Sequence, residues 1–172
     1  MDNEKREHLA EQLLEAGVLV PEPGGEVPLR WNGERALGNT ALCADLVSAL
    51  ADLARDHYSA ADGVMGDGWG PALGKALGLP LFTDTLPESP LLVLGSTGEI
   101  PEYLPVLAEL RRNGGSPAIA AVWNGREEDL RLALDRADIR CHWLTDLESG
   151  AAAALRLGML DFEDYCRLLP QD

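Results

Sequence analysis

The sequence predicts a single α/β domain in which a Rossmann-like, mainly parallel sheet is flanked by helices on both faces. Two observations carry that expectation. From Asp62 onward, apolar runs of strand length alternate with stretches whose apolar residues recur at helical spacing, the pattern of parallel strands joined by helical crossovers. The chain has 172 residues, 46% of them apolar, which suits one ordinary core that needs no disulfide or metal to support it. The domain is expected to fill residues 1–172, with an N-terminal helix and hood over 1–38 and C-terminal helices over 149–172. The sheet should have roughly four to six strands.

Leu9, Leu13, Leu14 and Ala16 share one face of a helix over residues 4–16, with Asp2 or Asn3 as N-cap and Gly17 as its stop. Pro21, Pro23, Gly24, Gly25 and Pro28 then break the pattern, leaving a loop with a short strand around 27–31. A second helix, from Asn39 or Thr40 to His57, buries Leu42, Leu46, Leu50 and Leu53. Next come a strand at 62–65, a glycine loop, a short helix at 71–77, and strands at 79–83 and 91–94. A helix ending at Arg112 is terminated by Asn113-Gly114-Gly115, and a buried strand at 118–123 follows. The remaining elements are a helix at 127–137, a strand at 139–144, and helices at 151–157 and 162–169, the last capped by Asp161.

The formal net charge of −15 argues against nucleic-acid binding, which needs clustered Lys or Arg. Of 14 basic residues only Lys5 and Lys75 are lysines, a thin supply of cations for a phosphorylated ligand. No apolar run approaches the length of a membrane span, and the N-terminus lacks the apolar core of a signal peptide, so a cytoplasmic location is expected. Cys43, Cys141 and Cys166 read as buried free thiols, and with His8, His57 and His142 equally scattered no metal site is expected. His142 lies in an apolar segment and reads as a core or interface histidine.

Ligands of open parallel sheets bind beyond the carboxyl ends of the strands, where loops lead into helix N-termini. Two loops meet that condition. Gly66, Asp67, Gly68, Trp69 and Gly70 follow a strand and open a helix; the glycines would let backbone approach a ligand, though a tight turn would need them equally. Ser96, Thr97 and Gly98 follow the strand at 91–94 and could hold an anion through hydroxyl and N–H donors. Glu99 and Glu102, and the N–H groups missing at Pro101 and Pro105, count against that.

The order of elements, with Val64-Met65-Gly66, Gly70-Pro71-Ala72-Leu73 and Leu77-Gly78-Leu79-Pro80-Leu81, resembles the type I phosphoribosyltransferases, nearest the orotate branch. The strand 91–94 and the helix ending Arg111-Arg112-Asn113-Gly114-Gly115 look like those flanking the family's phosphoribosyl-diphosphate signature. Residues 118–123 and 139–147 look like its closing strands, so the resemblance covers about residues 5–148. It implies that the first loop would contact pyrophosphate and the second the ribose 5′-phosphate.

The departures bear most on function. The family's signature has two adjacent acidic residues for the ribose hydroxyls, and here Gly95 and Ser96 stand in their place. Its long basic closing loop is replaced by residues 84–90, which hold no Lys or Arg and cannot neutralise a pyrophosphate leaving group. The leading expectation is therefore a non-catalytic or diverged orotate phosphoribosyltransferase-like protein, without assigned catalytic residues, that acts in ligand binding or regulation. The alternatives are an active phosphoribosyltransferase of nucleotide metabolism with a rearranged site, and another nucleotide- or sugar-phosphate-binding enzyme on a Rossmann-like sheet. No cofactor is expected, with Mg²⁺ required only if transferase activity survives. The expected ligand is a small phosphorylated compound or nucleobase. A homodimer is expected from Trp31, Trp69, Trp123 and Trp143, since aromatic residues favour interface cores; simple burial of all four is the competing explanation.

Overall fold

Asp2 opens the first helix, α1 (Asn3–Glu15), by accepting a hydrogen bond from Lys5 N at 2.9 Å. Gly17, at φ +68°, closes it, and Val18 N donates to Leu13 O. A two-stranded antiparallel hairpin follows, β1 (Leu19–Pro21) with β2 (Leu29–Trp31). Asn32 caps the short α2 (Gly33–Gly38), and Asn39 caps α3 (Thr40–His57) by accepting from Leu42 N. The computed structural model describes residues 2–66 and 68–168, apart from the side chains at 128 and 129.

The sheet begins with β3 (Gly63–Met65), and α4 (Gly70–Leu77) leads to β4 (Pro90–Ser96). A 3₁₀ turn at Thr97–Glu99 opens into α5 (Ile100–Arg112), followed by β5 (Ala118–Asn124), α6 (Glu128–Ala137) and β6 (Arg140–Asp146). All four strands are parallel, in the order β3-β4-β5-β6. Every residue of β4 is buried, as expected of a parallel strand covered on both faces. Leu91, Val93, Ala120 and Leu144 point into a core shared with α1, α3, α4 and α7 (Leu147–Arg156). Leu92, Leu94, Ile119 and Ala121 face α5 and α6 instead. The last described helix is α8 (Phe162–Leu168), where Asp161 accepts from Asp164 N.

Val64 also makes a parallel bridge to Leu81, on the side of β3 away from β4. The chain thus leaves β3 in one direction and returns as β4 in the other. Such a reversal opens a crevice beyond the strands' carboxyl ends, and it falls between the two loops singled out above.

The structure corrects several expectations. The strand expected at 79–83 is reduced to that one bridge, held by Val64 N to Pro80 O and Phe82 N to Val64 O; Pro80 has no N–H to extend a ladder. The strand near 27–31 pairs with an unforeseen partner, β1, and α2 was also unforeseen. The helix expected at 151 starts at Leu147, because Asp146 accepts from Ser149 N. Cys166 is exposed and Cys43 and Cys141 are only partly buried, so three buried thiols is wrong, although all three are free. Trp69 and Trp123 are buried, and Trp31 and Trp143 partly so, within their own chain. Residue 169, the expected end of the last helix, lies outside the described residues.

Candidate functional site

In the first loop, glycine is required by the chain's own packing. Gly66 has φ +133°, and a Cβ there would sit 2.3 Å from the carbonyl oxygen of Val93 in β4. A Cβ on Gly70 would lie 3.1 Å from Leu81 and 3.4 Å from the Met65 carbonyl carbon, so α4 starts hard against the sheet. Gly68, at φ +69°, lies beside Leu37 of α2, and Trp69 is buried. Asp67 lies outside the described residues.

The donors of the second loop are committed internally. Ser96 and Thr97 are buried. Ser96 Oγ accepts from Gly98 N, while the Thr97 hydroxyl donates to Glu127 Oε2 at 2.7 Å and accepts from Gly125 N. Glu99 Oε2 accepts from Gly95 N at 3.1 Å and from Ser96 N at 3.5 Å. The seat that an anion would take at this strand end is thus filled by the chain's own carboxylate. The spacing Ser96-x-x-Glu99 is a capping box, a signal present in the sequence that would have located this contact. Desolvation, followed by the neighbouring Glu102 charge, outweighs those two N–H donors and holds the Glu99 carboxyl above its ordinary range.

Gly95 stands where the resemblance would place the first carboxylate, and its missing side-chain volume is occupied. A Cβ would meet Trp31 Cζ2 at 3.0 Å and both indole nitrogens, of Trp31 and Trp69, at 3.1 Å. Trp31 Nε1 is buried without a hydrogen-bond partner among the described residues. Trp31 of β2 and Trp69 of the first loop therefore close down on the end of β4.

Between the two loops and α2 lies a cleft of about 440 Å³. Its walls include Trp31, Trp69 and Tyr103 together with Glu34, Glu99 and Glu102. None of the described residues lining it is basic. Arg30 is paired with Glu22 at 2.8 Å, the Arg35 guanidinium lies against Gly17, and Lys75 is on an exposed position of α4. A second cavity, about 450 Å³, lies between α6 and β6 beside Leu130, Leu134, Cys141, Trp143 and Arg131. There burial pushes the Cys141 thiol up to about 12, away from the reactive thiolate form. Between Cys141 and Trp143 on the same strand, His142 stacks on His57 at 3.9 Å and shares a 2.6 Å hydrogen bond with the Tyr58 hydroxyl, which donates to Ile119 O. Among the described residues no group of three or more His, Cys, Asp or Glu is placed to hold a metal ion, and no helix is long and apolar enough to cross a membrane.

No protein-family profile matches the sequence, and no curated protein matches it. Solved structures do match in fold. The UMP synthase of Leishmania donovani superposes with a TM-score of 0.72 at 14% identity over 94% of this chain, which spans 41% of that protein's length. The orotate phosphoribosyltransferase of Francisella tularensis gives 0.71 at 14% identity, over 94% of this chain and 95% of that one. That of Aeropyrum pernix gives 0.64 at 20% identity, over 87% and 98%. The chain has the fold of the type I phosphoribosyltransferases, with orotate phosphoribosyltransferases among its structural neighbours.

Proposed function

We propose that this chain is a phosphoribosyltransferase-fold protein that binds a ligand or regulates a partner without transferring a phosphoribosyl group. The observation that carries the reading is the Glu99 carboxylate on the N–H groups of Gly95 and Ser96. A phosphate brought within ~4 Å of it would be repelled by about 4 kcal/mol per charge at an effective dielectric of ~20. That is roughly three powers of ten in affinity. The indoles against Gly95 support the same reading, because they leave no room for a carboxylate that would bind the ribose hydroxyls.

The rival reading is an active transferase with a rebuilt site, for which Mg²⁺ would be needed. It draws on the N-terminus of α4, where Trp69 makes no side-chain capping bond, leaving N–H donors at the edge of the cleft. Calorimetry with phosphoribosyl diphosphate, with and without Mg²⁺, and pyrophosphate release over orotate and a panel of nucleobases separate the two. No saturable heat and no pyrophosphate is the expected result. Turnover with any one base would overturn the proposal.

A further inference from the structure

The cleft at the switch point has the wrong charge for the ligands of its structural neighbours and a suitable one for their opposite. Glu34, Glu99 and Glu102 line it, with Trp31, Trp69 and Tyr103 as aromatic walls and Leu37 and Leu94 as aliphatic ones. At about 440 Å³ it falls within the size range of small-molecule sites. Of the cations on the hood, Arg30 pairs with Glu22, and the Arg35 guanidinium lies beside Gly17. The carboxylates of the cleft therefore have no basic partner among the described residues that line it.

We infer that this cleft binds a small organic cation, of the amidinium, guanidinium or substituted ammonium class, through its carboxylates and the partly exposed indole of Trp31. The inference rests on the reading that the chain has left phosphoribosyl diphosphate behind. Two kinds of chemistry converge on it. A planar amidinium or guanidinium stacks on an indole face and pairs in bidentate fashion with a carboxylate. The aliphatic walls offer cover to an apolar body attached to the charge. A cation beside Glu99 would also favour its charged form, which desolvation opposes.

The partial exposure of Trp31 makes intrinsic fluorescence a direct reporter. The full chain is titrated with benzamidine, agmatine and choline, with benzamide as the uncharged counterpart of benzamidine and inorganic pyrophosphate as the anion. At least one cation is expected to saturate, with benzamide weaker than benzamidine by about tenfold or more, the size of a charge-assisted contact. Glu102→Gln, at an exposed position of α5, should weaken the cation without disturbing the fold. Glu15→Gln, on exposed surface outside the cleft, should leave binding unchanged and so discriminates a site from the general attraction of an acidic protein. Any of three results overturns the inference: no cation in the panel saturates, pyrophosphate binds more tightly than every cation, or Glu15→Gln weakens binding as much as Glu102→Gln. Failure of the underlying reading shows itself separately, as pyrophosphate release in the transferase assay.

Discussion

Replacing Gly66 with alanine tests whether the first loop is glycine-rich for its own packing or for a ligand. The backbone there has φ +133°, and the new Cβ would lie 2.3 Å from the Val93 carbonyl oxygen and 3.2 Å from its carbon. A side chain in that backbone region costs roughly 1–3 kcal/mol. The clash adds about 1–3 kcal/mol more, because the opposing atom is strand backbone and cannot rotate away. Relief requires β3 to move off β4, at the expense of the Met65 and Leu92 pairing. The expected loss is thus about 4 kcal/mol, a large share of the ~5–15 kcal/mol that holds a domain together. Urea unfolding followed by tryptophan fluorescence measures it, with Gly38→Ala as control. Gly38 has open space around its Cβ position and no positive φ, so alanine there should be neutral or stabilise by up to about 1 kcal/mol. A loss below about 1 kcal/mol at Gly66 would refute the steric argument and return that glycine to the ligand.

Glu99→Ala leaves the N–H groups of Gly95 and Ser96 without their acceptor and should cost about 1–2 kcal/mol. Glu99→Gln keeps an acceptor oxygen and should recover most of that in thermal or urea unfolding; equal losses in both variants would show that the cap is not what matters. Gly95→Asp, which restores a carboxylate in name, should lower stability by about 1–3 kcal/mol through its contacts with Trp31 and Trp69, and should yield no pyrophosphate release. Gain of turnover in that variant would contradict the geometry. His142 should titrate below its ordinary value of 6.5, through desolvation first and then the neighbouring His57, Arg140 and Arg6. Below that value the unfolded chain takes up a proton that folded His142 refuses, so stability falls as the pH drops and is fullest above it. An NMR titration placing the His142 midpoint at or above 6.5 would remove the claim.

Most of the sheet was legible because its strands are buried on both faces and write themselves as apolar runs, as residues 91–94 and 118–123 do. Helix starts were legible where a polar residue caps them, as Asn39 and Asp161 do. The hood was less so. The three-residue β1 carries too few positions for alternation to show, and Pro21 disguises it as loop, whereas its partner β2 fell within the short strand expected at 27–31. The two candidate loops were found because each follows a strand and leads into a helix, the position at which open parallel sheets bind ligands. The state of those loops stayed hidden, since it depends on Trp31 and Trp69 meeting at Gly95, contacts between segments far apart in sequence. Glu99 was read only in part: it counted as a charge opposed to an anion, and its spacing from Ser96 also marked it as a cap.

The contacts at this strand end support one another, and that bears on what the site can bind. A glycine in place of a carboxylate at position 95 would leave a void, and two indoles from β2 and the first loop fill it. Backbone donors with no anion to bind would be left unpaired, at a cost of about 1–3 kcal/mol each if buried, and Glu99 accepts from them. Thr97, buried and without an external partner, gives its hydroxyl proton to Glu127. Each of these contacts stabilises the loop only while the others persist, because a phosphate would have to displace Glu99 and a ribose would have to displace the indoles. A site that had merely lost its catalytic groups would keep open donors and an open floor. Here Glu99 takes the donors of the second loop, the indoles cover Gly95, and Glu34, Glu99 and Glu102 line the cleft that remains, which is the geometry on which the proposed change of ligand rests.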